Sequence, residues 1–207
     1  MKYYKDRVKG IIHIGAYTGN DYEYYRNQGV TGNILFIEPV KKYYNILNQK
    51  IQQWKKFDKN VFCHNISISD YDGMVRIYIN DETEELSSME RDLMYVDRWN
   101  RFEDVECMKF DTFIDKHRIN LNDYDMINID VSGYKSVPRI LNGTKKYINK
   151  FKYIAYKKFM GFADMHVLID QDDIYLNKKG FYVNKECYNN KRDDHPGESY
   201  FWINHKT

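Results

Sequence analysis

The stretch Ile11–Gly19, reading Ile-Ile-His-Ile-Gly-Ala-Tyr-Thr-Gly, constrains this chain more than any other. An apolar run ends at Gly15, and a helical pattern follows from Asn20 to Gln28. The order is strand, glycine turn, helix. Glycines remove side chains where backbone must bend or approach a ligand closely. Asn20 suits an N-cap, and Glu23 stands where a capping box needs it. The free N–H groups of such a helix face whatever lies over the loop. A doubly wound α/β domain holds a nucleotide-like ligand in this way, at the carboxyl end of its first strand. The loop is not the dinucleotide fingerprint, and no Gly-Lys-Ser/Thr follows to make a P-loop. By itself it also reads as an ordinary strand-to-helix turn.

The second strand adds to it. Ile34-Leu35-Phe36-Ile37 runs into Glu38-Pro39. An acid at the end of strand two, about 20 residues past the glycines, is placed to accept both hydroxyls of an adenosine ribose. Read alone, Glu38 is a surface acid at a strand end.

Strands and helices then alternate. Strand one spans Gly10–Ile14, helix A Asp21–Gln28 and strand two Asn33–Glu38. A helix is predicted over Val40–Phe57, where Tyr43, Leu47, Ile51 and Trp54 repeat at helical spacing as a core-facing stripe. Val61–Ser67 reads as strand three, Tyr71-Asp72-Gly73 as a turn, and Met74–Ile79 as a further strand. Asn80–Val105 is irregular, either a lid or substrate loop or a surface insertion. Asp111–His117 reads as a short helix and Tyr124–Asp130 as a buried strand ending in an acid. Lys135–Asn149 is helical, with Pro138 near its first turn. Phe151–Tyr156 is strand five, His166–Lys179 a helix stopped by Gly180, and Phe181–Glu186 with Tyr200–Ile203 a final hairpin. This alternation means an α/β fold, one domain over residues 1–207, with a mostly parallel sheet and helices on both faces.

The charge and cysteine content narrow the classes. A net charge of +2 argues against gripping nucleic-acid backbone as the main work. Cys63, Cys107 and Cys187 lack any Cys-x-x-Cys, and the six histidines show no metal-ligand spacing. Buried thiols in a reducing, cytoplasmic setting are the expectation. No signal-peptide h-region or membrane-spanning run is present in the sequence.

Several blocks together resemble the FkbM-type methyltransferases over most of the chain. They are Ile12-His13-Ile14-Gly15-Ala16-Tyr17-Thr18-Gly19, Phe36-Ile37-Glu38-Pro39, Asn65–Asp70 with Gly73, Ser87-Ser88-Met89 and Phe110-Asp111-Thr112-Phe113. Later come Ile129–Gly133, Ile140-Leu141-Asn142-Gly143, Gly180-Phe181 and Gly197–Tyr200. The resemblance implies a Rossmann-like class I methyltransferase fold with a seven-stranded sheet and a terminal antiparallel hairpin. It implies S-adenosylmethionine as methyl donor and O-methylation, often of sugars. Carried over by position, Gly15, Ala16, Tyr17 and Gly19 would contact the methionine end and Glu38 the ribose. Asn65 and Ser67 would lie along the adenine. Asp130 would face methyl transfer, with Ser88, Tyr134 and Lys135 on the acceptor side.

This chain also departs from the family. His13 stands where an acid is usual. The family's Asp-Val-Glu-Gly-x-Glu becomes Asp130-Val131-Ser132-Gly133-Tyr134-Lys135, and Tyr156-Lys157-Lys158 replaces an acid near the end of strand five. Hard cations need oxygen ligands, so no metal is expected. The expectation is a metal-independent O-methyltransferase acting on a hydroxyl of a sugar or glycan precursor. Asp130 or Lys157 would be the base, and Lys135 and Lys157 could hold an acidic part such as a nucleotide-sugar phosphate. The alternatives are an RNA 2′-O-methyltransferase and a degenerate, cofactor-binding interaction protein. A homodimer is compatible with any of these.

Overall fold

The computed structural model describes residues 8–80, 87–89, 101–133, 135–159, 173–183 and 197–204. Its frame is a seven-stranded sheet. In chain order the strands are β1 (Ile11–Ile14), β2 (Ile34–Ile37), β3 (Val61–His64), β7 (Met126–Ile129), β8 (Tyr153–Phe159), β9 (Phe181–Val183) and β10 (Gly197–Asn204). Their spatial order is β3-β2-β1-β7-β8-β10-β9. The first five run parallel, and β10 pairs antiparallel with both β8 and β9. The reversal between β1 and β7 opens a crevice at the carboxyl ends of the strands, where ligands of such sheets sit.

The central strands are covered on both faces, so they read as continuous apolar runs rather than alternating ones. On one face Ile11, Ile34, Phe36 and Met126 pack under α1 (Asp21–Asn27) and α2 (Lys41–Trp54). On the other, Ile12, Ile14, Leu35, Ile37, Ile127 and Ile129 pack against α3 (Phe110–His117) and α4 (Ser136–Asn142). The stripe of α2 turns inward as its spacing predicts, with Tyr43, Leu47 and Ile51 buried. A further helix covers 173–179. Among the described residues no helix is long and apolar enough to cross a membrane.

A second, three-stranded sheet is built from β4 (Ser67–Ser69), β5 (Gly73–Ile79) and β6 (Arg101–Lys109), in the order β4-β6-β5. This corrects two expectations. The predicted third strand over Val61–Ser67 ends at His64, and Ser67 begins a strand of the other sheet. The break falls at Asn65, whose side-chain amide donates to the carbonyls of Glu38 and Pro39 at 2.9 and 2.8 Å. Part of the predicted loop over Asn80–Val105 is strand β6. Its outer face carries Phe102, Asp104 and Glu106, and these charges hide the strand from a hydrophobic pattern.

Two further expectations are corrected. The helix predicted over Lys135–Asn149 stops at Asn142. A Cβ on Gly143 would lie 2.1 Å from the Ser69 carbonyl oxygen, so the chain there presses directly on β4. Asn20 makes no side-chain cap to α1. Its Oδ1 accepts instead from Thr18 Oγ1 and Lys50 Nζ, at 3.1 Å each, tying the glycine loop to α2. The first part of the predicted helix His166–Lys179 and the end of Phe181–Glu186 lie outside the described residues.

Gly143, at the end of α4, meets β4 at a contact that admits no side chain. Gly143→Ala is expected to destabilise the fold by about 2 kcal/mol, because backbone must move to relieve the clash. Denaturant unfolding should show a lower midpoint with an unchanged slope. An unchanged midpoint would mean that this contact is not made.

Candidate functional site

The glycine loop is shaped by its neighbours. Gly15 has φ of 86°, and a Cβ there would stand 2.1 Å from the Asp130 carbonyl oxygen. Only glycine lets the end of β1 lie this close to the end of β7. The Gly15 and Ala16 N–H groups donate to the Ile37 carbonyl at 2.9 and 3.1 Å, so the loop also leans on β2. Tyr17 is left-handed at φ 49°, unusual for a residue with a Cβ. Its ring lies 4.6 Å from that of Tyr43 on α2.

Glu38 explains that conformation. The Tyr17 N–H donates to Glu38 Oε2 at 2.8 Å, and the Val40 N–H donates to Oε1 at 2.8 Å. The carboxyl group is almost wholly removed from solvent. Burial pushes its pKa up to about 7, against the pull of the Val40 and Tyr17 N–H groups, and the charge of Glu103 adds to the rise.

Glu38 opens into a cleft with about 610 Å³ of space, counting its open mouth. Gly15, Tyr17, Glu38, Ser67, Ser88 and Asp130 all line it, so the structure brings together six of the residues singled out from sequence. Aliphatic walls come from Val40, Ile66 and Ile68, with Met89 nearby.

The other expected residues lie elsewhere. Ala16 packs into the core under α1 and α2. Gly19 faces Leu47 and Trp54, which a Cβ would meet at 2.5 and 3.2 Å. Asn65 is exposed and holds the backbone after Glu38. Lys135 is exposed ahead of α4 and does not line the cleft. Tyr134 and the side chain of Lys157 lie outside the described residues.

Beneath the loop is a polar cluster that sequence reading passed over. His13 is fully buried, and its Nδ1 lies 2.9 Å from the Tyr25 hydroxyl. Asn128 Nδ2 donates to the same hydroxyl at 2.7 Å. His13 and Asn128 are register partners on β1 and β7, and this pairing is the signal that could have joined them. Asp21, the first residue of α1, brings Oδ2 to 3.9 Å from His13 Nδ1. One donor atom each from His13, Asp21 and Asp130 falls within 4.8 Å of the others. An imidazole and two carboxylates can hold a cation. Here the nitrogen nearest Asp21 is already engaged by Tyr25, so a metal would compete with a hydrogen bond. The two carboxylates equally suit an organic ammonium.

Similarity to solved structures gives the class first. Aeropyrum pernix fibrillarin with bound S-adenosyl-L-methionine shares the fold at TM-score 0.57 and 10% identity, over 95% of this chain and 67% of that one. M. capricolum TrmK with S-adenosyl-homocysteine matches at TM-score 0.52 and 10% identity, over 95% and 62%. The fold is thus the Rossmann-like fold of class I methyltransferases.

The particular family follows from the sequence. Residues 13–181 match the profile of the methyltransferase FkbM domain, and the chain belongs to that family of S-adenosylmethionine-dependent methyltransferases. The methyltransferase FkbM from Methylobacillus flagellatus KT matches at TM-score 0.61 and 14% identity, over 95% of this chain and 44% of that one. The chain therefore spans less than half the length of that enzyme. No curated protein matches it.

The buried carboxyl sets a pH dependence. Its folded-state pKa, about 7, is above the ordinary 4.5, so the folded protein holds the proton more tightly than the unfolded chain. The resulting stability is full below pH about 4.5 and is lost as pH rises through about 7, a difference of about 3 kcal/mol. Denaturant unfolding of the wild type and Glu38→Gln at pH 4.5 and 8 should show this loss in the wild type alone, after subtracting the shared pH trend. Parallel pH curves would show that Glu38 is ionised normally.

Proposed function

We propose that this chain is an S-adenosylmethionine-dependent O-methyltransferase whose acceptor is a hydroxyl of a sugar or glycan precursor, by a reaction that needs no metal. The observation that supports it most is Glu38, a buried carboxylate at the end of β2, fixed by the N–H of the glycine loop and opening into the cleft that Asp130 also lines. A carboxylate with one backbone donor on each oxygen still has lone pairs for a ribose diol. Adenine would lie between the aliphatic walls at Val40 and Ile66–Ile68. The methionine end would lie along Gly15 and Tyr17, with its α-ammonium toward Asp21.

S-adenosylmethionine supplies a methyl group on a sulfonium. The chain's own contribution is mostly positioning, since in-line displacement depends on placing the nucleophile against that carbon. Held along Gly15, Tyr17 and Glu38, the cofactor would supply that methyl group to the acceptor hydroxyl by displacement from sulfur. The hydroxyl proton passes to the Asp130 carboxylate as the bond forms. Lys135 and Lys157 would meet an acidic part of the acceptor, such as the phosphate of a nucleotide sugar. Lys157 is the second candidate for the base.

Calorimetric titration with S-adenosylmethionine and S-adenosylhomocysteine tests the cofactor half. Micromolar binding is expected. Glu38→Ala should weaken it about tenfold or more, and Asp21→Asn several-fold, as loss of charge-assisted hydrogen bonds does. No binding at millimolar cofactor would sink the reading. A nucleotide-sugar screen for S-adenosylhomocysteine release tests the acceptor half. Cofactor binding without turnover on any acceptor would point to a degenerate, cofactor-binding protein. Turnover on RNA alone would replace the sugar reading.

A further inference from the structure

The segment Ser87–Met89 lines the cleft, and its contacts there reach three elements. Ser88 forms an antiparallel bridge with Tyr78 on β5, the Tyr78 N–H donating to the Ser88 carbonyl at 2.8 Å and the Ser88 N–H to the Tyr78 carbonyl at 2.9 Å. The Ser88 hydroxyl donates to the Ser132 carbonyl at 3.1 Å, two residues beyond Asp130. Met89 Sδ accepts from Ser67 Oγ on β4 at 3.6 Å, and its side chain packs on the cluster of Val40, Tyr43 and Ile77. One short strap therefore joins the edge of the small sheet, the strand that lines the expected adenine position, and the loop that follows β7.

A hydroxyl has a single proton to donate, and Ser88 directs its proton to a backbone carbonyl. That carbonyl is itself fixed, because Ser136 Oγ donates to it at 2.8 Å. Ser88 is 5% exposed, so its tether works where water competes poorly. The bridge to Tyr78 secures the strap to the small sheet, whereas the Ser88 hydroxyl secures it to the main sheet. Without the hydroxyl the strap keeps its bridge to β5 and loses this bond to the loop after β7.

We propose that Ser88 is a positioning residue, a latch that ties the Ser87–Met89 strap to the Ser132 loop and so holds it over the bound cofactor. This rests on the reading of the cleft as the cofactor site. It gives the Ser88 hydroxyl a role in retaining cofactor, where resemblance alone places Ser88 near the acceptor.

The test uses the whole chain and two readouts. In the protein without cofactor, amide exchange at Ser88 and Tyr78 should be slow, and Ser88→Ala should speed it about tenfold while the amides of β1 and β2 keep their rates. With cofactor, Ser88→Ala should release S-adenosylmethionine about three- to tenfold faster and raise its KM with kcat nearly unchanged. Ser88→Thr, which keeps the hydroxyl, should restore both. Met89→Ala should act in the same direction as Ser88→Ala and serves if that variant folds poorly. Unchanged exchange and release in Ser88→Ala would overturn the latch. So would a loss of kcat at unchanged KM, which would make Ser88 an acceptor contact. Exchange rising equally through β1 and β2 would mean general loosening and would also overturn it. If the wild type binds no cofactor, the cofactor reading and the retention role fall together, and a tether confined to Ser88 and Tyr78 would still register in the exchange data.

Discussion

Two backbone N–H groups converge on one buried carboxylate, and the cleft at the carboxyl ends of β1 and β2 depends on that convergence. The Tyr17 and Val40 N–H groups each reach one oxygen of Glu38 at 2.8 Å. Tyr17 belongs to the loop after β1, and Val40 immediately precedes α2. The carboxylate thus satisfies a loop N–H and the entry of a helix together, at a largely buried position. It also accounts for a left-handed tyrosine, whose backbone cost is balanced by the bond it makes. Burial makes the arrangement sensitive to protonation, since an acid there is held near neutrality rather than well below it.

The cleft lies where residues of the two sheets come together. The main sheet supplies Gly15, Glu38 and Asp130 from the ends of β1, β2 and β7. The small sheet supplies Ser67 and Ile77 and carries the strap that includes Ser88. Gly143 sets how closely α4 approaches β4, and Gly15 sets how closely β1 approaches Asp130. Both glycines are needed for close backbone approach to a carbonyl oxygen, whatever their dihedral angles.

The main sheet was legible in the sequence because its strands are buried on both faces and leave uninterrupted apolar runs. Ile34–Ile37 shows this, and so does Ile11–Ile14 apart from His13, as does the inward stripe of α2. The small sheet was not legible, because β6 exposes one face and mixes Glu103, Asp104 and Glu106 with its apolar residues. Asn65 marked a real feature with a different employment, holding two carbonyls after β2 instead of lining the cleft. Gly19 likewise serves packing on Trp54 and Leu47.

By itself the sequence determined the order of elements, the glycine turn, and the acids at the ends of β2 and β7. These follow from local periodicity and from residue types that tolerate few backbone states. Only the tertiary structure decided which of those residues share a cleft. His13, Tyr25, Asn128, Asp21 and Asp130 come from three elements and meet only when β1 pairs with β7 beneath α1. Ser88 and Ser132 are 44 residues apart and meet only across the folded cleft. Such contacts depend on strand register and on the direction of each side chain, which no local pattern encodes.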